Sequence, residues 1–104
     1  MGGILLRMPL LLRPRQRAHL KARAHALEPI VHIGQAGASD AALAEVDRAL
    51  SAHGLIKIKL AGDRHERDAL ATAVAERTDA TVVQQVGRIV VLWRPRPDDA
   101  PLEE

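Results

Sequence analysis

The sequence predicts one α/β (α+β) domain, a two-layer sandwich of a four-stranded mixed sheet with its helices on one face. The chain has 104 residues, enough for a single modest core. Segments with helical periodicity alternate with short apolar runs in the order αβαβαββ. The two strand–helix–strand units require parallel neighbours joined by right-handed crossovers, whereas the last two strands form an antiparallel hairpin.

The first helix is predicted from Pro14, which suits a first helical turn, to about His25 or Ala26. Its apolar stripe follows i, i+4, i+7 spacing and consists of Leu20, Ala24 and Leu27. Pro29 disfavours helix at the residue before it, so we expect a change there to a short strand over residues 30–33.

The second helix begins where Ser39 or Asp40 can cap it and ends at Gly54 in a left-handed conformation. Its predicted buried face consists of Leu43, Val46 and Leu50. The following stretch LIKIKL, residues 55–60, alternates with period two, so Lys57 and Lys59 point away from the apolar face. We therefore expect a sheet with one solvated, basic face.

Asp63 can cap a third helix, which has Leu70 and Val74 facing inward and ends near Thr78. Residues 81–86 and 89–93 read as strands joined by the turn Gly87-Arg88. The prolines of the stretch RPRP, residues 94–97, cannot extend the sheet. The predicted domain covers residues 13–96, between a poorly ordered extension over 1–12 and a disordered acidic tail over 97–104.

Charge is distributed unevenly along the chain. Residues 1–96 hold all 15 Lys and Arg but only nine of the 13 Asp and Glu, and six of the basic residues lie within residues 1–33. This pattern favours a polyanionic partner, with a solvated basic helix as the alternative. A single Trp without Phe or Tyr excludes a sheet that stacks bases on aromatic rings.

Other classes of protein are disfavoured. The absence of Cys excludes disulfides and the usual structural zinc sites. The apolar N-terminal stretch is interrupted by Arg7, so it is too short to cross a membrane or to serve as a signal peptide. We expect a cytoplasmic location and no membrane partner.

The stretch VHIGQAGAS, residues 31–39, places Gly34 and Gly37 between a strand and a helix. Unpaired amides at a helix N terminus attract phosphate, and glycine lets a ligand approach the backbone closely. A tight turn that needs positive φ is the alternative reading. The loop lacks the Gly-Lys-Ser/Thr of a phosphate-binding Walker loop and the third glycine of a dinucleotide site. The basic helix before it and Lys57 and Lys59 after it favour recognition of a nucleic-acid backbone.

The five histidines do not converge on a catalytic or metal site. His19 and His25 point about 120° apart on the first helix, and His32 reads as a partly buried spacer in an apolar strand. Asp63, followed by His65 and Glu66, is better explained as a helix cap than as a metal ligand. We expect no enzymatic activity, no cofactor, no metal and no small-molecule substrate.

Four ordered segments resemble the CRM domain, in particular its bacterial stand-alone YhbY-like form. They are RQRAHLKARAH (15–25), PIVHIGQAG (29–37), LIKIK (55–59) and VGRIVVLWRP (86–95). The resemblance spans residues 13–95. It implies an RNA-binding domain similar in fold to the C-terminal domain of bacterial translation initiation factor three. Bacterial members of the family associate with precursors of the large ribosomal subunit.

The resemblance also implies a set of RNA-contacting residues. They are Arg17, Lys21, Arg23, Gly34, Gln35, Ala36, Gly37, Lys57 and Lys59. We further expect Arg88 and Arg94 to contact RNA. The chain departs from the family at Gln35-Ala36, where a Lys is frequent, and at Trp93, where Tyr is common. The expected function is binding, as a monomer, to ribosomal RNA of large-subunit precursors. Two alternatives remain: a module that docks on a ribosomal protein through the hairpin with Trp93, and a small anion- or nucleotide-binding enzyme.

Overall fold

The computed structural model describes residues 11–102 and contains three helices and four strands. In chain order they are α1 (Pro14–Ala24), β1 (Pro29–Ile33), α2 (Asp40–His53), β2 (Leu55–Leu60), α3 (Arg64–Arg77), β3 (Thr81–Val86) and β4 (Ile89–Trp93). The predicted order αβαβαββ and the four-stranded mixed sheet are confirmed.

Local signals set the helix boundaries where the sequence predicts them. The Ser39 hydroxyl accepts a hydrogen bond from the Ala42 amide at 3.2 Å and caps α2. Asp63 and Glu66 form a reciprocal capping box at the start of α3, with the Glu66 amide donating to Asp63 Oδ1 at 2.8 Å. Gly54, with φ of 76°, ends α2 and leads directly into β2.

The strand order in the sheet is β1-β2-β4-β3. β1 and β2 are parallel neighbours, as predicted, but β4 lies between β2 and β3 and is antiparallel to both. The prediction that β2 and β3 are parallel neighbours is therefore wrong. A central strand is buried on both faces, and β4 (IVVLW) is more apolar than β3 (TVVQQV), so the two polar Gln side chains occupy the sheet edge.

The prediction that all helices lie on one face is also wrong. Helices α2 and α3 cover one face and form a core with strand residues that include Ile58 and Leu92. Helix α1 lies on the opposite face, where its buried stripe contacts an apolar patch of three strands, made of Leu55, Val83, Val91 and Trp93. An apolar patch of this kind must be buried against another element, and the apolar stripe of α1 buries it.

Helix α1 covers only part of that face. Other residues on the same face of the sheet lie outside the area that α1 covers. We call them the open sheet face: His32, Lys57, Lys59, Val86 and Ile89. His32 and Lys59 are exposed, and Val86 retains 61 % of its accessible surface. The expectation that His32 is partly buried is therefore wrong.

The segment after β4, expected to be disordered from residue 97, folds back in the structure. The Asp99 carboxylate accepts hydrogen bonds from the Arg96 backbone amide at 2.8 Å and from its side chain. These bonds lower the pKa of Asp99 and raise that of Arg96. Leu102 packs beside the α1 cluster. Residues 1–10, which make up most of the predicted extension, and residues 103–104 lie outside the described part of the chain.

Candidate nucleic-acid interface

Two lysines of β2 define the centre of the open sheet face. Lys59 pairs in register with His32 of the neighbouring parallel strand and with Ile89 of β4. Lys57 lies two residues earlier, roughly 6.6 Å along the strand from the 3.3 Å rise per residue. Neither lysine side chain makes a hydrogen bond or ion pair with any residue between 11 and 102. Both ammonium groups are therefore available to a ligand.

Helix α1 adds Lys21 to this row of charges. Lys21 of α1 and His25, which directly follows the helix, line the same groove as Lys57, at the border between α1 and the open sheet face. The row thus runs from Lys21 across Lys57 to Lys59. At its far end β1 leads into the glycine loop, residues 34–37, two positions after His32.

The glycine loop is a tight turn in which two backbone amides have no hydrogen-bond acceptor among residues 11–102. The Gly37 amide donates to the Gly34 carbonyl at 3.0 Å, and the φ of Gly37 is 72°, which favours glycine. The exposed residues Gln35 and Ala36 make no amide hydrogen bond with the part of the chain described here. Both expected roles of the loop are therefore compatible: Gly37 serves the turn, and the two amides before it can reach an anion.

Gly34 is not required by the fold. Its φ lies outside the left-handed region, and a Cβ added there would meet no atom within 4 Å. Neither backbone strain nor packing explains this glycine. A surface glycine with open space around it allows another molecule to approach the main chain closely.

Arg17 serves the fold. Its Nη1 donates to the Val82 carbonyl at 2.9 Å and to the Val83 carbonyl, where the edge strand β3 carries a bulge between Val82 and Gln84. A bulge interrupts the ladder and leaves backbone groups to be satisfied by other partners. The predicted RNA contact of Arg17 conflicts with this use of its guanidinium group.

Arg94 also serves the fold, on the other side of the sheet. Its Nη1 donates to Asp47 Oδ1 at 2.7 Å and to the Thr78 carbonyl at 2.8 Å. Its Nη2 donates to the Asp47 carbonyl at 3.1 Å and to Ser51 Oγ at 2.9 Å. Arg94 thus joins the end of β4 to α2 and to the C terminus of α3, and it lies away from the open sheet face.

The two remaining predicted arginines lie at opposite ends of the sheet. Arg88 is exposed in the β3–β4 turn, and its carbonyl accepts from the Leu60 amide at 2.8 Å. The next amide, that of Ala61, donates to the Ile33 carbonyl, so Arg88 lies at the same end as the glycine loop. Arg23 instead lines a cavity beside Gly54, at the other end. The structure brings Arg88, but not Arg23, towards the loop.

The sheet separates opposite charges. Helix α1 carries four basic residues and no acidic one. Helices α2 and α3 with their flanks (39–54 and 63–79) carry eight acidic and four basic residues. Because α1 lies across the sheet from the other two helices, the open sheet face is basic and the opposite surface is acidic. This polarity directs a polyanion to one face.

The described residues offer no alternative metal site, since no three His, Cys, Asp or Glu side chains between 11 and 102 are grouped to hold an ion. Asp63 acts as a helix cap, and the hydrogen bond from the Glu66 amide lowers the pKa of its carboxyl group. Nor does any helix in the described range have the length and apolar character needed to cross a bilayer.

These features define the class of small α+β domains with a basic sheet face beside a glycine loop. The family model of the CRS1 / YhbY (CRM) domain matches residues 12–94, and the chain belongs to this family. The predicted resemblance is thereby confirmed.

Curated relatives carry matching names. The chain is 42 % identical over 85 residues to an "RNA-binding protein" of Haemophilus influenzae, covering 81 % of this chain and 86 % of that protein. It is 33 % identical over 87 residues to a "Probable RNA-binding protein" of Pseudomonas aeruginosa, covering 83 % and 84 %. The solution structure of a hypothetical Staphylococcus aureus protein, for which RNA binding is suggested, superposes with a TM-score of 0.77 at 26 % identity. That match covers 89 % of this chain and 98 % of the other.

Proposed function

We propose that this protein binds RNA through the open sheet face and the glycine loop, chiefly by contacts to the ribose-phosphate backbone. The observation that carries the proposal is the row formed by Lys21, Lys57 and Lys59, which have no partner within residues 11–102 and lead to the exposed amides of the loop. The names of the relatives support RNA as the polyanion. Lysines supply long-range attraction to phosphates, and backbone amides supply short hydrogen bonds to them.

The RNA we propose is ribosomal RNA in precursors of the large subunit, bound by a monomer. This assignment comes from the resemblance to bacterial YhbY-like proteins. Sedimentation of a cell extract through a sucrose gradient tests it, and we expect the protein to comigrate with large-subunit precursors. A protein that stays at the top of the gradient at low salt would contradict the assignment to ribosomal RNA.

Binding itself is tested with purified components. Fluorescence anisotropy with a labelled ribosomal RNA fragment, repeated at increasing salt, gives the slope of log affinity against log salt. Three lysine–phosphate contacts predict a slope of roughly −2 on single strands. An affinity that does not change with salt would contradict phosphate recognition.

Burial of Trp93 argues against docking on a ribosomal protein through that residue of the hairpin. Trp93, the aromatic anchor of that alternative, retains only 8 % of its accessible surface because α1 covers it. We therefore propose RNA, and not a ribosomal protein bound at Trp93, as the partner. The family and the names of the relatives support a binding function and not a catalytic one. Association with a large-subunit protein that survives nuclease treatment would favour the docking alternative.

A further inference from the structure

A groove lies at the border between α1 and the open sheet face. Lys21 of α1 and His25, which follows the helix, form one side, and Lys57, Gln84, Val86 and Ile89 contribute from the sheet. Its volume is about 330 Å³. This is at the lower end of the range for sites that hold a small organic molecule, roughly 300–1,000 Å³.

The floor of the groove is apolar. Val86 lies directly opposite Ile89 in the antiparallel register, so the two branched side chains are neighbours. Val86 keeps 61 % of its surface exposed in a groove that Lys21 and Lys57 also line. An apolar floor adds nothing to phosphate binding, so the groove has a feature that the proposed backbone contacts do not use.

Gln84 brings a polar group to this floor. Its carboxamide makes no hydrogen bond with any residue from 11 to 102. The next residue, Gln85, faces the opposite side of the sheet and donates from Nε2 to Asp68 Oδ1 at 2.9 Å. A free carboxamide presents a donor and an acceptor side by side, the pattern that pairs with the edge of a nucleobase.

We propose that this groove binds one unpaired RNA nucleotide. Its base lies on Val86 and Ile89 and offers its edge to Gln84, while Lys21 and Lys57 contact the adjoining phosphates. The His25 ring, on the α1 side of the groove, can stack on the base. The inference rests on the proposed RNA binding and deepens it by naming the form of RNA.

The groove excludes the paired form of the same RNA. In an A-form duplex the Watson–Crick edges are occupied by pairing, the flat faces of the bases are stacked, and the major groove is too narrow for side chains to read. Only a base that has left the helix, in a loop, a bulge or a single strand, presents both its flat face and its edge. The same protein therefore distinguishes unpaired from paired RNA although the two carry similar phosphate charges.

The test compares three RNAs of matched length: a single strand, a perfect duplex, and a duplex with one bulged nucleotide. Anisotropy titrations at 0.1 M salt use the wild type, Gln84→Ala and Val86→Thr, with Gln85→Ala as the matched control. Val86→Thr keeps the branched shape suited to a strand while adding a hydroxyl. Circular dichroism and thermal melts establish that each variant is folded.

We expect the wild type to bind the single strand and the bulged duplex about tenfold more tightly than the perfect duplex. Gln84→Ala and Val86→Thr should each reduce that preference about threefold to fivefold, because they weaken binding of the unpaired RNAs more than binding of the perfect duplex. Gln85→Ala should keep the wild-type preference.

Equal affinity for all three RNAs, or an undiminished preference in Gln84→Ala, would overturn the nucleotide site while leaving the proposed function intact. Failure to bind any of the three RNAs would instead reject the proposed function itself, and the nucleotide site with it. A peptide of alternating Glu and Leu serves as the competitor of a different class. If it binds more tightly than the single strand and loses affinity in Gln84→Ala, the groove is a peptide site.

Discussion

Replacing both lysines of β2, Lys57→Ala with Lys59→Ala, should weaken RNA binding without unfolding the protein. Neither side chain has a partner within residues 11–102, and the backbone pairing of β2 with both neighbours is unaffected. Each phosphate contact to a single strand contributes about 0.7 to the slope of log affinity against log salt, so two lost contacts change it by about 1.4. We take the variant and the wild type to have equal RNA affinity at 1 M salt, where electrostatic attraction is screened. The difference in slope then makes the variant's affinity about 25-fold lower than that of the wild type at 0.1 M salt and about fivefold lower at 0.3 M.

The assay is a series of anisotropy titrations from 0.05 to 0.3 M salt, on the order of physiological ionic strength. The matched control, Arg48→Ala with Arg77→Ala, removes the same charge from exposed positions of α2 and α3, across the sheet. The Debye length at 0.1 M salt is about 10 Å, which is no greater than the thickness of one layer of the sandwich. Charges across the sheet are therefore screened from RNA on the open sheet face, and we expect the control to change affinity less than about twofold. Equal losses in both variants would mean that only net charge matters. Unchanged affinity in the lysine variant would refute the assignment of the open sheet face.

Three further predictions concern stability and the loop. Gly34→Ala should leave the melting temperature unchanged but weaken RNA binding severalfold, whereas Gly37→Ala should lose about 1–2 kcal/mol of unfolding free energy in urea because its φ is 72°. Equal stability of the two variants would contradict the different backbone requirements. Arg94→Lys should lower the free energy of unfolding by about 2 kcal/mol, since lysine lacks the planar fork that joins Asp47 of α2 to the Thr78 carbonyl at the end of α3, and RNA affinity of the folded protein should not change. Because the Glu66 amide lowers the pKa of Asp63, the cap stabilises the protein fully above about pH 3.8 and loses this effect as the pH falls through the lower, folded-state pKa. The acid-induced fall in melting temperature should therefore be smaller in Asp63→Asn, and an identical fall would refute this role.

Local features were predictable because their causes lie within a few residues. Ser39 and Asp63 cap helices through amides three residues away, and Gly54 ends a helix by its own backbone conformation. The contacts of Arg17 and Arg94 were not predictable in this way. The partner of Arg17 lies 66 residues away in the chain and that of Arg94 lies 47 residues away. Because the sequence does not show these contacts, it predicts that both arginines bind RNA, whereas in the structure their side chains join elements of the fold.

The candidate site also combines residues that the sequence predicts with a residue that only the structure identifies. The period-two alternation of β2 places Lys57 and Lys59 on one face whatever the neighbouring strands are. Nothing in the sequence indicates that Gln84 lines the groove, because the two adjacent glutamines, Gln84 and Gln85, are equivalent in sequence. Only the register with β4 and the bulge after Val82 assign Gln84 to the groove and Gln85 to Asp68.

The sequence by itself determined the elements, their order, the basic character of α1 and the position of the glycine loop. These follow from periodicity, caps and composition, which act along the chain. Only the tertiary structure decided which face α1 covers. An apolar stripe shows that a helix must be buried but not against what, and its partner patch exists only after three strands have paired. That choice places α1 across the sheet from the acidic helices, and so it makes one face of the protein basic.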